Sequence, residues 1–428
     1  MSASATPRIG YAAMTHLGLN SGVAAAEKGF PTVCFDADPA LIGRLDKGEL
    51  PVLEPDLPEL LAKNRSRIRF TATPEDLGAC DVVYVALDVP TDDTGRSDLA
   101  GLDRLLETVI PALAPDATLV VLSQVPPGFT RARMRAGLNL YYQVETLIFG
   151  RAIERALYPE RTIVGCADPA TSLPAAMRTY LEAFGCPILP MRFESAELTK
   201  IAINCCLVSS ISVANTLSEL CEGIGAVWGE IAPALKLDRR IGQYAYLSPG
   251  LGIAGGNLER DLATVIRMSD EVGSDASVVR AWVANSRHRR DWATRTIQRV
   301  LLDKHPDATV AVWGLAYKEN THSVKNSPSL ATIAQLQGAR LVLHDPVVPA
   351  SAAGHARAVG AADPMAAVAG ADALMILTPW PQYKGLAPAA IAKAMRGRIV
   401  LDPYGVLDGR AAREAGLAYH TLGRSANF

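Results

Sequence analysis

An apolar strand, a small-residue turn, a helix, a second strand and an acidic residue follow one another at the start of this chain, and that order narrows the fold more than any other feature. It runs from Arg8-Ile9-Gly10-Tyr11 through a turn and an Ala-rich helix ending near Glu27-Lys28-Gly29. The run Thr32-Val33-Cys34-Phe35 then closes on Asp36. Two strands joined by a crossover helix lie parallel in one sheet, with the turn at their carboxyl ends. Further apolar runs at 81–87 and 118–123, with helical stretches between, extend this unit to a parallel sheet wound on both faces. The same order returns late in the chain. Ala308-Thr309-Val310-Ala311-Val312-Trp313-Gly314 is followed by a strand from Arg340 to His344 and then Asp345, with later strands at 373–377 and 398–401. The halves rhyme in topology, although their sequences do not repeat.

Between them the pattern from about Ser195 to Gly223 is one long helix, with Ala196, Ile201, Leu207, Ile211, Ala214 and Leu217 spread over several faces. Such a helix belongs inside a domain or at a subunit interface. A Gly/Pro-rich loop from Leu247 to Gly256 interrupts the helical region, which resumes at Leu258. A chain of 428 residues exceeds one core and is expected to divide. The expected fold is α/β: two Rossmann-like, doubly wound parallel-sheet domains joined by a central helical domain, with boundaries at 1–194, 195–300 and 301–428. Two such folds around a helical hinge suggest a cleft for two nucleotide ligands.

A formal charge of −2, without a long basic run, excludes a surface built to coat nucleic acid. The seven cysteines fall at no metal-like or paired spacing, which predicts buried, reduced thiols and no metal site. No charged-then-apolar leader opens the chain, and no apolar stretch reads as long enough to span a bilayer. A cytoplasmic protein without membrane or nucleic-acid partners is expected.

The turn departs from a dinucleotide fingerprint. Three glycines are wanted there, for the tight turn, for approach of the pyrophosphate and for helix packing. Counting back from the helix end puts Ala13, Thr15 and Gly18 at those positions, so only the packing glycine remains. Asp36 nevertheless ends the next strand where an acid binds the ribose hydroxyls of NAD and repels the extra phosphate of NADP. NAD is the expected cofactor; the competing expectation is a decayed turn with an empty pocket.

Several segments then carry a resemblance. They are Gly48-Glu49-Leu50-Pro51-Val52-Leu53-Glu54-Pro55-Asp56-Leu57, Ser123-Gln124-Val125-Pro126-Pro127-Gly128, and Ala196-Glu197-Leu198-Thr199-Lys200 with Asn204. Leu237-Asp238-Arg239-Arg240-Ile241-Gly242, Pro249-Gly250-Leu251-Gly252, and Gly314-Leu315-Ala316-Tyr317-Lys318 with Thr321 and Ser327-Pro328 complete the set. In order and spacing the chain resembles the UDP-glucose/GDP-mannose 6-dehydrogenase family. That resemblance implies an NAD-dependent oxidoreductase of polysaccharide biosynthesis that oxidises a sugar alcohol twice, through an aldehyde and a cysteine thioester. It implies that Lys200 supplies charge beside the reacting oxygen, Asn204 orients a water or the oxyanion, and Asp261 partners the lysine and water. Glu145 is implied in proton transfer or hydrolysis, and Gln124 and Lys325 fall at cofactor positions. Arg240, Gly250, Gly252 and Lys318 fall at substrate positions, and the reach of Arg240 across a subunit boundary implies a homodimer.

The departure lies at the nucleophile. Where the family reads Gly-Gly-Ser-Cys-Phe-Pro-Lys-Asp, this chain reads Ala254-Gly255-Gly256-Asn257-Leu258-Glu259-Arg260-Asp261. An amide forms no thiohemiacetal, so Asn257 closes the covalent route. Cys205 and Cys206 follow Asn204 around the helix and are expected to face packing. Gln124 replaces a threonine, Lys325 an arginine, and Tyr404 lies where an arginine meets uridine diphosphate. Three readings stand: one hydride transfer without a thioester, oxidation to the uronic acid by a cysteine-independent route, and a silent nucleotide-binding paralogue.

Overall fold

The computed structural model describes residues 6–92 and 95–425. The chain forms two compact units, Met1–Ile203 and Asn204–Phe428.

The first unit is built on eight strands: β1 (Ile9–Ala12), β2 (Thr32–Phe35), β3 (Ile68–Thr71), β4 (Val82–Val85), β5 (Thr118–Val121), β6 (Asn139–Gln143), β7 (Thr162–Cys166) and β8 (Ile188–Arg192). Their spatial order is β3-β2-β1-β4-β5-β6-β7-β8. The strands β1, β2, β4 and β5 are buried along their whole length. Burial on both faces explains why they read as unbroken apolar runs. Ile9 pairs with Thr32 on one side and with Val82 on the other. The order therefore reverses at β1, which opens a crevice at its carboxyl end. The sheet is not wholly parallel as expected: β6 and β7 run antiparallel. The segment between them folds only one short helix, Ala152–Leu157, before the chain returns in the opposite sense.

In the second unit six parallel strands, β9 (Thr309–Trp313), β10 (Arg340–His344), β11 (Ala358–Gly360), β12 (Ala373–Ile376), β13 (Ile399–Leu401) and β14 (Ala418–His420), take the order β11-β10-β9-β12-β13-β14. The helices Asn257–Val272, Ser277–Arg290 and Trp292–Ile297 precede that sheet. Trp292, Ala293 and Ile297 share one apolar core with Trp313 and Leu374. Arg289 has no exposed surface; its guanidinium donates to Glu222 at 2.6 Å, while Trp292 Nε1 donates to the other oxygen of Glu222 at 3.1 Å.

The long helix spans Phe193–Ile224, and the unit boundary falls within it. By length and composition it is apolar enough to cross a membrane, which corrects the expectation that no stretch is. Its serines and threonines are only weakly polar and its cysteines are apolar, so the mean hydropathy stays high although the apolar run is interrupted. Buried Glu197 and Asn215 on this helix accept backbone amides from neighbouring segments, as in a packed protein helix. Burial is one-sided, however. Val213, Leu217, Leu220 and Ile224 are 40–65% exposed and recur at helical spacing along one stripe.

Candidate active site

The dinucleotide turn keeps its shape without two of its glycines. Ala13 adopts φ +77°, the left-handed region where a Cβ is disfavoured. A Cβ on Gly18 would lie 1.9 Å from the Ala13 carbonyl oxygen, so only glycine lets the first helix (His16–Glu27) seat against the turn. Thr15 directs its hydroxyl away, donating to Ala86 O at 3.1 Å and accepting the Asp88 amide at 3.2 Å. Asp36 closes the group, accepting the Met14 amide at 2.7 Å and the Asp38 amide at 3.0 Å. The four residues picked from sequence therefore meet at one end of β1. A dinucleotide would be held here by the turn backbone, with the remaining lone pairs of Asp36 left for ribose hydroxyls. The residues fit the cofactor.

Two buried carboxylates brace this end, and sequence reasoning missed both. Glu197 has no exposed surface and accepts the amides of Gly128 and Thr130 at 2.6 and 2.8 Å, fixing the turn that carries Gln124. Glu54 accepts from His16 Nε2 at 2.7 Å and from the amides of Gly150 and Ala152. Its place within the Gly48–Leu57 motif was the available signal. The motif is a strut between the first helix and the segment after Glu145.

The catalytic candidates form two sets. In the first unit, Lys200 Nζ lies 3.7 Å from Glu145 Oε2, and both side chains are mostly buried. Glu145 Oε1 also accepts the Leu147 amide. In the second unit, Asn204 Nδ2 donates to Asp261 Oδ2 at 2.5 Å, and Arg260 Nε lies 3.2 Å from Asp261 Oδ1. Lys200 and Asn204 are one turn apart on the long helix. Asn257 opens the Asn257–Val272 helix and is exposed, one turn before Asp261.

Gly250 and Gly252 belong to a loop pinned from several sides. Asn215 Oδ1 accepts the Gly250 amide at 2.8 Å, Ser286 Oγ accepts the Ile253 amide at 2.7 Å, and Tyr404 bonds to the backbone of Leu251. Gly252 at φ +75° packs so tightly that a Cβ would fall 2.4 Å from Ser286 O. Tyr404, expected as a lost anion contact, thus holds this loop. Lys325 runs beside Gly256, and the Lys318 ammonium lies 5.7 Å from the Tyr317 ring centre. Arg240 stands apart from these groups, 88% exposed and bonded to Asp238, between exposed Leu237 and Tyr244.

Comparison with known proteins decides the matter. Three models of the UDP-glucose/GDP-mannose dehydrogenase family match in succession: the NAD binding domain over residues 8–184, the central domain over 194–287 and the UDP binding domain over 311–409. The chain belongs to the UDP-glucose/GDP-mannose dehydrogenase family. UDP-glucose 6-dehydrogenase TuaD of Bacillus subtilis is 29% identical over 427 residues, covering 96% of this chain and 92% of that protein. UDP-glucose 6-dehydrogenase of Pseudomonas aeruginosa is 29% identical, covering 96% of both. The solved UDP-glucose dehydrogenase of Pyrobaculum islandicum superposes with a TM-score of 0.85 at 28% identity, covering 98% of this chain and 99% of that one.

As a family member, the chain is an NAD-dependent oxidoreductase acting on the CH–OH group of a nucleotide sugar. Against that background the cysteine chemistry of this nucleotide-sugar dehydrogenase stands out. Cys34, Cys80, Cys166 and Cys221 are buried as expected. Cys205 packs beside Val208, Ile253 and Leu262, and burial pushes its thiol up to about 11, which leaves little thiolate at neutral pH. Cys206 is exposed, contrary to the expectation that it packs, because it lies on the uncovered side of the long helix.

Proposed function

We propose that this dehydrogenase performs a single hydride transfer on a UDP-hexose-like nucleotide sugar, converting a carbinol to a carbonyl and releasing it without a thioester. The observation that carries this reading is Asn257 in place of a thiol in a sequence that retains Lys200 and Glu145, paired in the first unit, and Asn204 and Asp261, paired in the second. Bound NAD would supply the hydride acceptor for the carbinol carbon. Ala13, Thr15, Gly18, Asp36 and Gln124 would hold it, with Lys325 supplying charge.

The chain's own groups do the rest. Lys200 stabilises the negative charge that develops on the carbinol oxygen as its proton leaves. Glu145 Oε2, already 3.7 Å from that ammonium, accepts the proton and passes it to solvent. Asp261, buried and bonded to Asn204 and Arg260, fixes the orientation of the Asn204 amide. Asn257 offers a hydrogen-bonding amide to the carbonyl product but no electron pair of sulfur, so the carbonyl is never captured and a second hydride has no covalent precursor. Electrons balance: one alcohol is oxidised, one NAD is reduced and one proton is released.

The assembly proposed is a cytoplasmic homodimer supplying nucleotide sugars for polysaccharide. The apolar stripe of the long helix and the exposed Leu237–Tyr246 segment around Arg240 support it. The proposed domains are 1–194 for NAD, 195–300 for dimerisation and catalysis, and 301–428 for the nucleotide sugar. Mass analysis of the product from NAD with UDP-glucose and UDP-N-acetylhexosamines tests the chemistry. A carbonyl sugar is expected, and a hexuronic acid refutes the thiol-free reading.

A further inference from the structure

The start of the Asn257–Val272 helix is held by one side-chain amide. Asn326 Nδ2 donates to Gly255 O at 3.0 Å and also to Glu259 Oε2. One group therefore ties the residue two before Asn257 to the residue two after it. Asn326 itself adopts φ +50°, a left-handed conformation that asparagine tolerates better than most side chains. Gly255, at φ +81°, lies flat against the Tyr317 ring, where a Cβ would approach to 3.1 Å. Glu259 is half-buried. Burial holds its carboxyl above the usual carboxylate range, an effect that Arg290, Arg287, the Asn326 bond and Lys325 offset only in part.

Resting on the reading that residue 257 faces the reacting carbon, we infer that Asn326 is a positioning residue that brackets Asn257 by tying Gly255 to Glu259. Without it the helix start keeps its intrahelical bond from Arg260 N to Gly256 O but loses the tie that sets its entry angle. The side chain acts on the reaction only through the placement of residue 257. It governs turnover rather than cofactor affinity, because a small misplacement of a reacting group slows chemistry far more than it weakens binding.

The test uses Asn326→Gly, which keeps the left-handed backbone and removes both bonds, and Asn326→Asp, which sets two carboxylates against each other. Adding Glu259→Gln to Asn326→Asp restores a donor–acceptor pair. In the full-length chain, kcat with NAD and the nucleotide sugar is expected to fall about ten- to a hundredfold in both single variants. KM for NAD and the thermal midpoint stay near the parent values. The double variant recovers only part of the loss, because the carboxylate of Asn326→Asp accepts from the amide of Glu259→Gln but cannot donate to the Gly255 carbonyl. Amide hydrogen exchange without substrate is expected to be about tenfold faster across 256–260 in Asn326→Gly alone. Unchanged exchange, or unchanged kcat with accelerated exchange, overturns the inference. A parent chain that makes hexuronic acid refutes the thiol-free reading instead and leaves Asn326 to be judged by these two measurements. If the parent forms no NADH, exchange alone decides.

Discussion

Ala13 holds a side chain in a backbone region that favours glycine, and its carbonyl leaves no room for a Cβ on Gly18. Ala13→Gly should therefore stabilise the chain by about 1 kcal/mol, read as a higher urea midpoint. Gly18→Ala should prevent the first helix from seating and abolish NAD binding by calorimetry. The sequence alone marked these positions but not their tolerance, because a threonine that turns its hydroxyl onto Ala86 and Asp88 looks like a lost glycine until its partners are seen. Histidines give a second residue-scale prediction. Burial holds His344 and His420 below the ordinary imidazole value, with Arg299 adding to the effect at His420. Their folded values are depressed, so the unfolded chain binds protons first as pH falls below about 6.5. Stability present above that pH is lost on acidification toward the folded values. Urea unfolding at about pH 7.5 and about pH 5.5 should show the loss, and His420→Gln should reduce it.

At the scale of elements, a few buried carboxylates and asparagines hold loops against helices. Glu197→Gln leaves one of the Gly128 and Thr130 amides facing an NH2 group, an expected loss of about 1–3 kcal/mol by thermal denaturation together with weaker NAD binding. A stability equal to the parent's would remove Glu197 as a brace. The elements themselves were plain in sequence: the strands at Thr32–Phe35 and Thr309–Trp313 and the helix ending at Glu27 stand where their patterns predict. The antiparallel β6–β7 step was not, since a strand's direction depends on how the chain returns rather than on its residues. Nor was Tyr404 legible as a support for the Leu251 backbone, because that pairing joins segments far apart in sequence.

For the whole molecule, the exposed stripe Val213, Leu217, Leu220 and Ile224 predicts a dimer that Leu217→Asp combined with Leu220→Asp converts to monomer in sedimentation. A parent chain that sediments as a monomer contradicts the proposed assembly. The two nucleotide-binding folds were legible because repeated strand–helix–strand–acid order survives substitution. The candidate site residues were named through resemblance alone, and their contacts were not legible, because Lys200 and Glu145 meet only through folding. The central claim is that residue 257 limits this dehydrogenase to one hydride transfer. It is tested most directly by counting NADH formed per sugar consumed, in the parent and in Asn257→Cys. The account predicts one in the parent and a rise toward two, with acid product, when the thiol is supplied; two in the parent would contradict it.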